Sequence, residues 1–126
     1  MKRAPLLVPI FFLGFLCLTA AFGAETPQAK TAATVEVRLS EYAVEMPPTL
    51  PSGPTAFLVR NEGRKSHSFK IEGPGIDGML EAILRPHGTG RLEVTLQPGE
   101  YKVYCPIGSH AAKGMTRPLV VEPKRD

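Results

Sequence analysis

A chain of 126 residues with 15 basic and 12 acidic side chains, 21% charged and 43% hydrophobic, has the length of one domain and the composition of a folding one. Three histidines and two cysteines are too few for a multi-histidine metal cluster or a disulfide scaffold. No dense basic run with interleaved aromatics is present, so nucleic acid is not an expected partner.

The first element is not part of the domain. Lys2 and Arg3 are followed by an apolar run from Leu6 to Phe22, then by small residues at Ala20, Ala21, Gly23 and Ala24. Charge, apolar core and small-residue exit predict a secretory signal peptide over residues 1–23, cleaved after Gly23 or at Ala24. An uncleaved membrane anchor is the competing reading, disfavoured because the run is shorter than the ~20 residues of a spanning helix. Leu16 stands where a lipobox has a small residue, so Cys17 is not read as a lipidation site. Export to the periplasm or medium follows, with no stable membrane insertion after cleavage. Cys17 leaves with the signal, and losing Lys2 and Arg3 leaves 13 basic against 12 acidic side chains. The remaining thiol, Cys105, has no disulfide partner. A lone thiol in an oxidising compartment points to something that occupies it.

Residues 24–33 read as a flexible leader and residues 34–126 as the domain. Val35, Val37 and Leu39 alternate with Glu36 and Arg38, and Tyr42, Val44 and Met46 continue the alternation until Pro47-Pro48. Ser52-Gly53-Pro54 predicts a turn, Thr55 to Arg60 a buried strand, and Asn61-Glu62-Gly63 another turn. Ser66 to Glu72 alternates with His67, Phe69 and Ile71 on one face. Met79 to Leu84, between Gly78 and Pro86, allows a helical turn or a short strand. Leu92, Val94 and Leu96 give the clearest strand; Gln97-Pro98-Gly99-Glu100 turns the chain; Tyr101, Val103 and Cys105 share a face; Pro118 to Glu122 closes the domain. Seven to eight short strands in about 100 residues predict an all-β Greek-key sandwich.

The chemistry is concentrated between Tyr104 and Met115. Cys105, His110 and Met115 stand five positions apart just beyond a strand, where a returning loop can converge their side chains. His67 lies on another strand and can meet them if both loops sit at one end of the sandwich. Two imidazoles, one thiolate and a weak axial thioether suit type 1 copper. Zinc favours four strong ligands, usually with more cysteine, and leaves the methionine without a purpose. Singly, each residue has a plainer reading: His67 as a core histidine, Cys105 as a small buried hydrophobe, Met115 as core filling. Their joint occurrence favours the metal. His87 reads as a solvated loop residue, Met46 and Met79 as packing, and Arg64-Lys65 as a solvated turn that could steer a partner.

These segments resemble the cupredoxins: plastocyanin, azurin and especially rusticyanin and sulfocyanin, with four residues between Cys and His. The matching pieces are Asn61-Glu62-Gly63 before His67, the Leu96 to Tyr101 turn, Tyr104-Cys105, and the His110 to Met115 loop. The resemblance implies the fold, one type 1 copper held by His67, Cys105, His110 and Met115, and one-electron transfer with a c-type cytochrome or a membrane oxidoreductase. It also implies that the His110 edge reaches solvent through a small, mostly apolar rim of Pro106, Ile107, Ala111 and Ala112. Ser68 departs from the Asn that plastocyanins and azurins carry, which leaves open how the Cys105 sulfur is hydrogen-bonded. A monomer without enzymatic activity is expected, since no open coordination position or Ser/His/Asp arrangement stands out. The rival reading is a periplasmic copper-binding or copper-delivery protein.

Overall fold

The structure, a computed structural model, describes residues 31–125. The predicted export signal and residues 24–30 of the leader lie outside the described residues. Nine strands follow: β1 (Ala33–Ser40), β2 (Ala43–Glu45), β3 (Thr49–Pro51), β4 (Gly53–Asn61), β5 (Lys70–Gly73), β6 (Ile76–Met79), β7 (Thr89–Leu96), β8 (Gly99–Tyr104) and β9 (Thr116–Glu122). A 3-10 turn over Ala111–Lys113 is the one helical piece among the described residues. The all-β sandwich expected from the strand pattern is present. Its strand count exceeds seven or eight because two short strands are not announced by the alternation: β3, beyond Pro47-Pro48, and β6, which follows the turn after β5.

One sheet has the order β2-β1-β4-β7 and the other β3-β9-β8-β5-β6. β1 pairs parallel with β4, and β3 parallel with β9; the remaining neighbours are antiparallel. The chain therefore passes repeatedly from sheet to sheet, since parallel neighbours cannot be joined by a tight hairpin. Alternation decides what lies between the sheets. Val35, Val37 and Leu39 of β1 are buried while Glu36 and Arg38 face water. Phe57 of β4 meets Phe69 of the opposite layer, ring centroids 5.3 Å apart and tilted by 51°. Burying such side chains contributes roughly 1.5–3 kcal/mol each. Cys105 and Met115 belong to this same core, both fully buried.

Three local predictions are corrected. The segment Ser66 to Glu72 is not one strand: β5 begins only at Lys70, and His67 makes a single antiparallel bridge with Leu84. Of Met79 to Leu84, Met79 closes β6 and the rest is neither helix nor strand but a crossing segment that ends on that bridge. Met46 packs in the core as expected, whereas Met79 is 52% exposed at the end of edge strand β6. His87 is an exposed residue with φ of 65°, in keeping with its turn context.

Candidate metal centre

Sheet register explains why the four candidate residues meet. β5 and β8 are antiparallel neighbours with Lys70 opposite Tyr104. The residues just before β5, His67 and Ser68, therefore lie beside the residue just after β8, Cys105. On the other side of β8, Tyr104 pairs with Thr116 of β9, and the Cys105 amide donates to the Met115 carbonyl at 3.0 Å. The loop from Pro106 to Gly114 is closed at its neck by that bond.

Inside the loop, Gly108 takes φ of 48°, a left-handed turn that glycine adopts without Cβ strain. The His110 amide then donates to Ile107 at 3.1 Å, folding the loop back so that His110 faces Cys105. The 3-10 turn ends at Gly114, with φ of 108°, and the Met115 amide returns to the His110 carbonyl at 3.1 Å. Met115 is thus bonded through its backbone to two of the other three candidates.

His67 is held from a different direction. The buried Asn61 side chain donates to the carbonyls of Lys65 (2.8 Å) and Leu84 (2.9 Å) and accepts from the Gly63 amide at 2.9 Å. Leu84 in turn exchanges both backbone hydrogen bonds with His67, at 2.9 and 2.8 Å. One amide side chain thereby ties the turn, the crossing segment and the histidine together.

The donor atoms converge. Nδ1 of His67 lies 3.3 Å from Nδ1 of His110, and Cys105 Sγ lies 3.6 Å from the same His110 nitrogen. All three offer one ligand atom within 4.8 Å of the others. Donors bound to a single ion at about 2.0–2.3 Å stand roughly 3–4.5 Å apart, so the cluster has the spacing of a metal triangle. Two imidazoles and a thiolate, with a buried methionine beside them, suit type 1 copper chemically. His67 is completely buried, and His110 is only partly covered.

Protonation also suits a metal. Glu41 Oε1 accepts from the Lys65 amide (2.7 Å), the Arg64 amide (2.8 Å) and His67 Nε2 (3.0 Å). The Lys65 amide, then His67 and the Arg64 amide, hold the Glu41 carboxyl below its usual range, against partial desolvation. An ionised carboxylate only accepts, so His67 carries its proton on Nε2 and points the Nδ1 lone pair into the cluster. Burial first, and with it the positive charges of Lys113 and Lys65, pushes His110 below the ordinary histidine value, favouring its neutral, ligating form.

The expected surroundings of the cluster fall as follows. Ser68 is buried, and its backbone amide points at Cys105 Sγ at 3.5 Å. That hydrogen bond answers the question the Ser68 departure raised: the main chain supplies it, whatever side chain follows His67. Pro106, Ile107 and Ala111 are half-buried around His110, and Ala112 is exposed. Two residues near the site escaped sequence reasoning. Glu41 and Tyr42 sit in the β1–β2 turn, 26 residues before His67 in the case of Glu41, and no local spacing announces them. Tyr42 packs edge-on against the His110 ring, centroids 5.1 Å apart. The Lys65 and Lys113 ammonium groups, hydrogen-bonded to its hydroxyl, hold the phenol below its ordinary value. A depression along Val37, Leu58, Arg60 and Arg91 lies elsewhere and touches none of the cluster.

Comparisons with known proteins agree with this fold. Dithionite-reduced auracyanin from the photosynthetic bacterium Roseiflexus castenholzii superposes with a TM-score of 0.60 at 21% identity, covering 74% of this chain and all of that one. Auracyanin B superposes at 0.63 and 19% identity, covering 76% and 93%. A multicopper oxidase superposes at 0.58 and 20% identity over 79% of this chain but only 45% of its own. No curated protein sequence matches the chain. The sequence profile of the cupredoxin-like domain matches residues 7–116, most of the chain, which therefore belongs to the cupredoxin-like domain family.

Proposed function

We propose that this chain is an exported one-electron carrier with a single type 1 copper held by His67, Cys105, His110 and Met115. The observation that carries the reading is the convergence of two Nδ1 atoms and one thiol sulfur at one end of a β-sandwich. Copper bound there supplies one-electron chemistry by alternating between Cu(I) and Cu(II). The chain's own residues do the rest. Asn61 and the Leu84 bridge hold His67 still, the loop neck fixes Cys105 against Met115, and the buried setting keeps water from the sulfur. A centre that does not rearrange exchanges electrons with little reorganisation, and the partly exposed His110 gives a partner a close approach.

A c-type cytochrome or a membrane oxidoreductase fits as partner, and the periplasm as location. Among the described residues no helix is long and apolar enough to cross a membrane. Enzymatic turnover is disfavoured because a set of four donors, His67, Cys105, His110 and Met115, leaves a bound copper no open position for substrate. The decisive experiment is the visible spectrum of the copper-loaded protein. Intense thiolate-to-copper absorption, bleached by ascorbate, restored by an oxidant and abolished in Cys105→Ser, is expected with about one copper per chain. Tightly bound zinc in native protein, or colourless copper binding, would replace this reading with metal storage or delivery.

A further inference from the structure

We propose that Tyr42, Lys65 and Lys113 form a docking cradle for a surface carboxylate of an acidic redox protein, set against the exposed edge of His110. This names the partner chemistry of the site above and rests on the electron-carrier reading. Three separate segments build the cradle: the β1–β2 turn supplies Tyr42, the loop before β5 supplies Lys65, and the 3-10 turn supplies Lys113. Lys65 Nζ donates to the Tyr42 hydroxyl at 3.2 Å and Lys113 Nζ donates to the same oxygen at 3.4 Å. Both ammonium groups also lie against the Tyr42 ring, 5.7 and 4.9 Å from its centroid.

The charge of the cradle is not neutralised within the chain. Arg38, Lys70 and Arg91 each have a carboxylate neighbour, whereas among the described residues neither Lys65 nor Lys113 has one. Glu41 stands next to Tyr42 in sequence, but its bonded oxygen is turned to His67 and two backbone amides. Glu62 is engaged with Arg38. Two ammonium groups gathered on one neutral phenol repel one another, and an incoming carboxylate relieves that repulsion while bonding to both. Exposed Arg64 adds a third positive charge beside them.

Placement makes this a docking face rather than a stray basic patch. The Tyr42 ring touches the His110 ring edge-on, so a carboxylate seated on the lysines brings its carrier within contact of the ligand edge. Half-buried Pro106, Ile107 and Ala111 offer an uncharged contact area beside it. Small interfaces of this kind serve transient redox encounters, with charge supplying orientation and association rate more than lasting affinity.

The test uses the purified full chain and a redox-inert trianion, hexacyanocobaltate(III), followed by amide NMR. Saturable shifts centred on Tyr42, Lys65 and Lys113 are expected, weakened about tenfold in Lys65→Ala/Lys113→Ala. Lys102→Ala/Lys124→Ala, an equal change of net charge elsewhere, should bind as wild type. In the copper-loaded protein, oxidation by hexacyanoferrate(III) should slow about tenfold in the Lys65/Lys113 variant and lose most of its salt dependence. Oxidation by the cationic tris(phenanthroline)cobalt(III) should not slow. Tyr42→Phe, which keeps the ring but frees the lysines, should weaken anion binding. Anion shifts scattered over the surface, or equal losses in both double variants, would overturn the cradle even in a blue protein. A chain that shows no visible band fails instead at the copper reading.

Discussion

Glu41 Oε1 lies 3.0 Å from Nε2 of the buried His67 and takes the Arg64 and Lys65 amides on the same oxygen. A carboxylate placed behind a metal-binding imidazole does two things. It fixes which ring nitrogen carries the proton, and it makes the other nitrogen a stronger donor.

The first prediction follows from that charge. A negative group behind His67 favours the more highly charged Cu(II) state, so Glu41→Gln should raise the reduction potential by tens of millivolts while copper still binds. Gly63→Ala should act in the same direction. A Cβ there would fall 2.5 Å from Glu41 Oε1, and the flexible carboxylate must swing away from His67 to admit it. Voltammetry on both variants and the double variant checks this. The two shifts should not add, because both remove one interaction.

Met115 supports a prediction with two opposite arms. It is fully buried, and its backbone bonds to Cys105 and His110 hold it beside the cluster, where its thioether would serve a bound copper as a weak ligand. Met115→Gln offers an oxygen that favours Cu(II), so the potential should fall. Met115→Leu withdraws the donor without replacing it, so the potential should rise. Unchanged potentials in both variants would reduce Met115 to core packing.

Asn61 is the structural pin, and its loss should be felt in stability. Asn61→Ala strands the Lys65 carbonyl and the Gly63 amide and leaves the Leu84 carbonyl with only its bond from the His67 amide. Buried groups left without partners cost about 1–3 kcal/mol each before relaxation, so a loss of roughly 2–3 kcal/mol is expected. Urea unfolding of wild type and variant in the same metal state measures it. Copper affinity should drop as well, since Leu84 no longer steadies His67.

A pH dependence arises beside the site. Lys70 Nζ (2.8 Å) and the Tyr104 hydroxyl (2.7 Å) both bond to Glu72 Oε1. Lys70 first, then Tyr104, lowers the Glu72 carboxyl below its ordinary 4.5. A carboxyl depressed on folding stabilises above its unfolded value, and that contribution is lost as pH falls through the folded one. Glu72→Gln should therefore lower Tm by a few degrees at pH 7, a modest effect for a half-exposed pair. The gap should hold to about pH 5 and close below pH 4.5. Thermal melts across that range check the sign.

The legible part of this protein is the local part. Cys105, His110 and Met115 are read together because one loop carries them and its neck closes between neighbouring strands. β1 and β8 are read because each buries one face and exposes the other, which alternation reports directly. Alternation puts His67 on the interior side, where it lies, but it also implies a continuous strand that the structure does not have. The strand stops short because the segment is captured by Asn61 and Leu84, partners that no period-two pattern encodes. Glu41 and Tyr42 were illegible for the same reason. Their importance comes from which loop the fold lays beside the β1–β2 turn, and the alternation reads Tyr42 only as the start of a strand with Val44 and Met46.

The closed neck of the loop has a consequence for how such a protein can change. The bonds from Cys105 to Met115 and from Met115 to His110 frame a segment whose inner residues, Pro106 to Ser109, are half-buried or exposed, with Ile107 resting on the edge of the core. Exchanges there alter the rim a partner meets while the strands that hold the sulfur and the buried imidazole stay in place. Within this loop, substitutions at Pro106 to Ser109 can reshape the rim while the residues that bring the sulfur and the imidazoles together are kept.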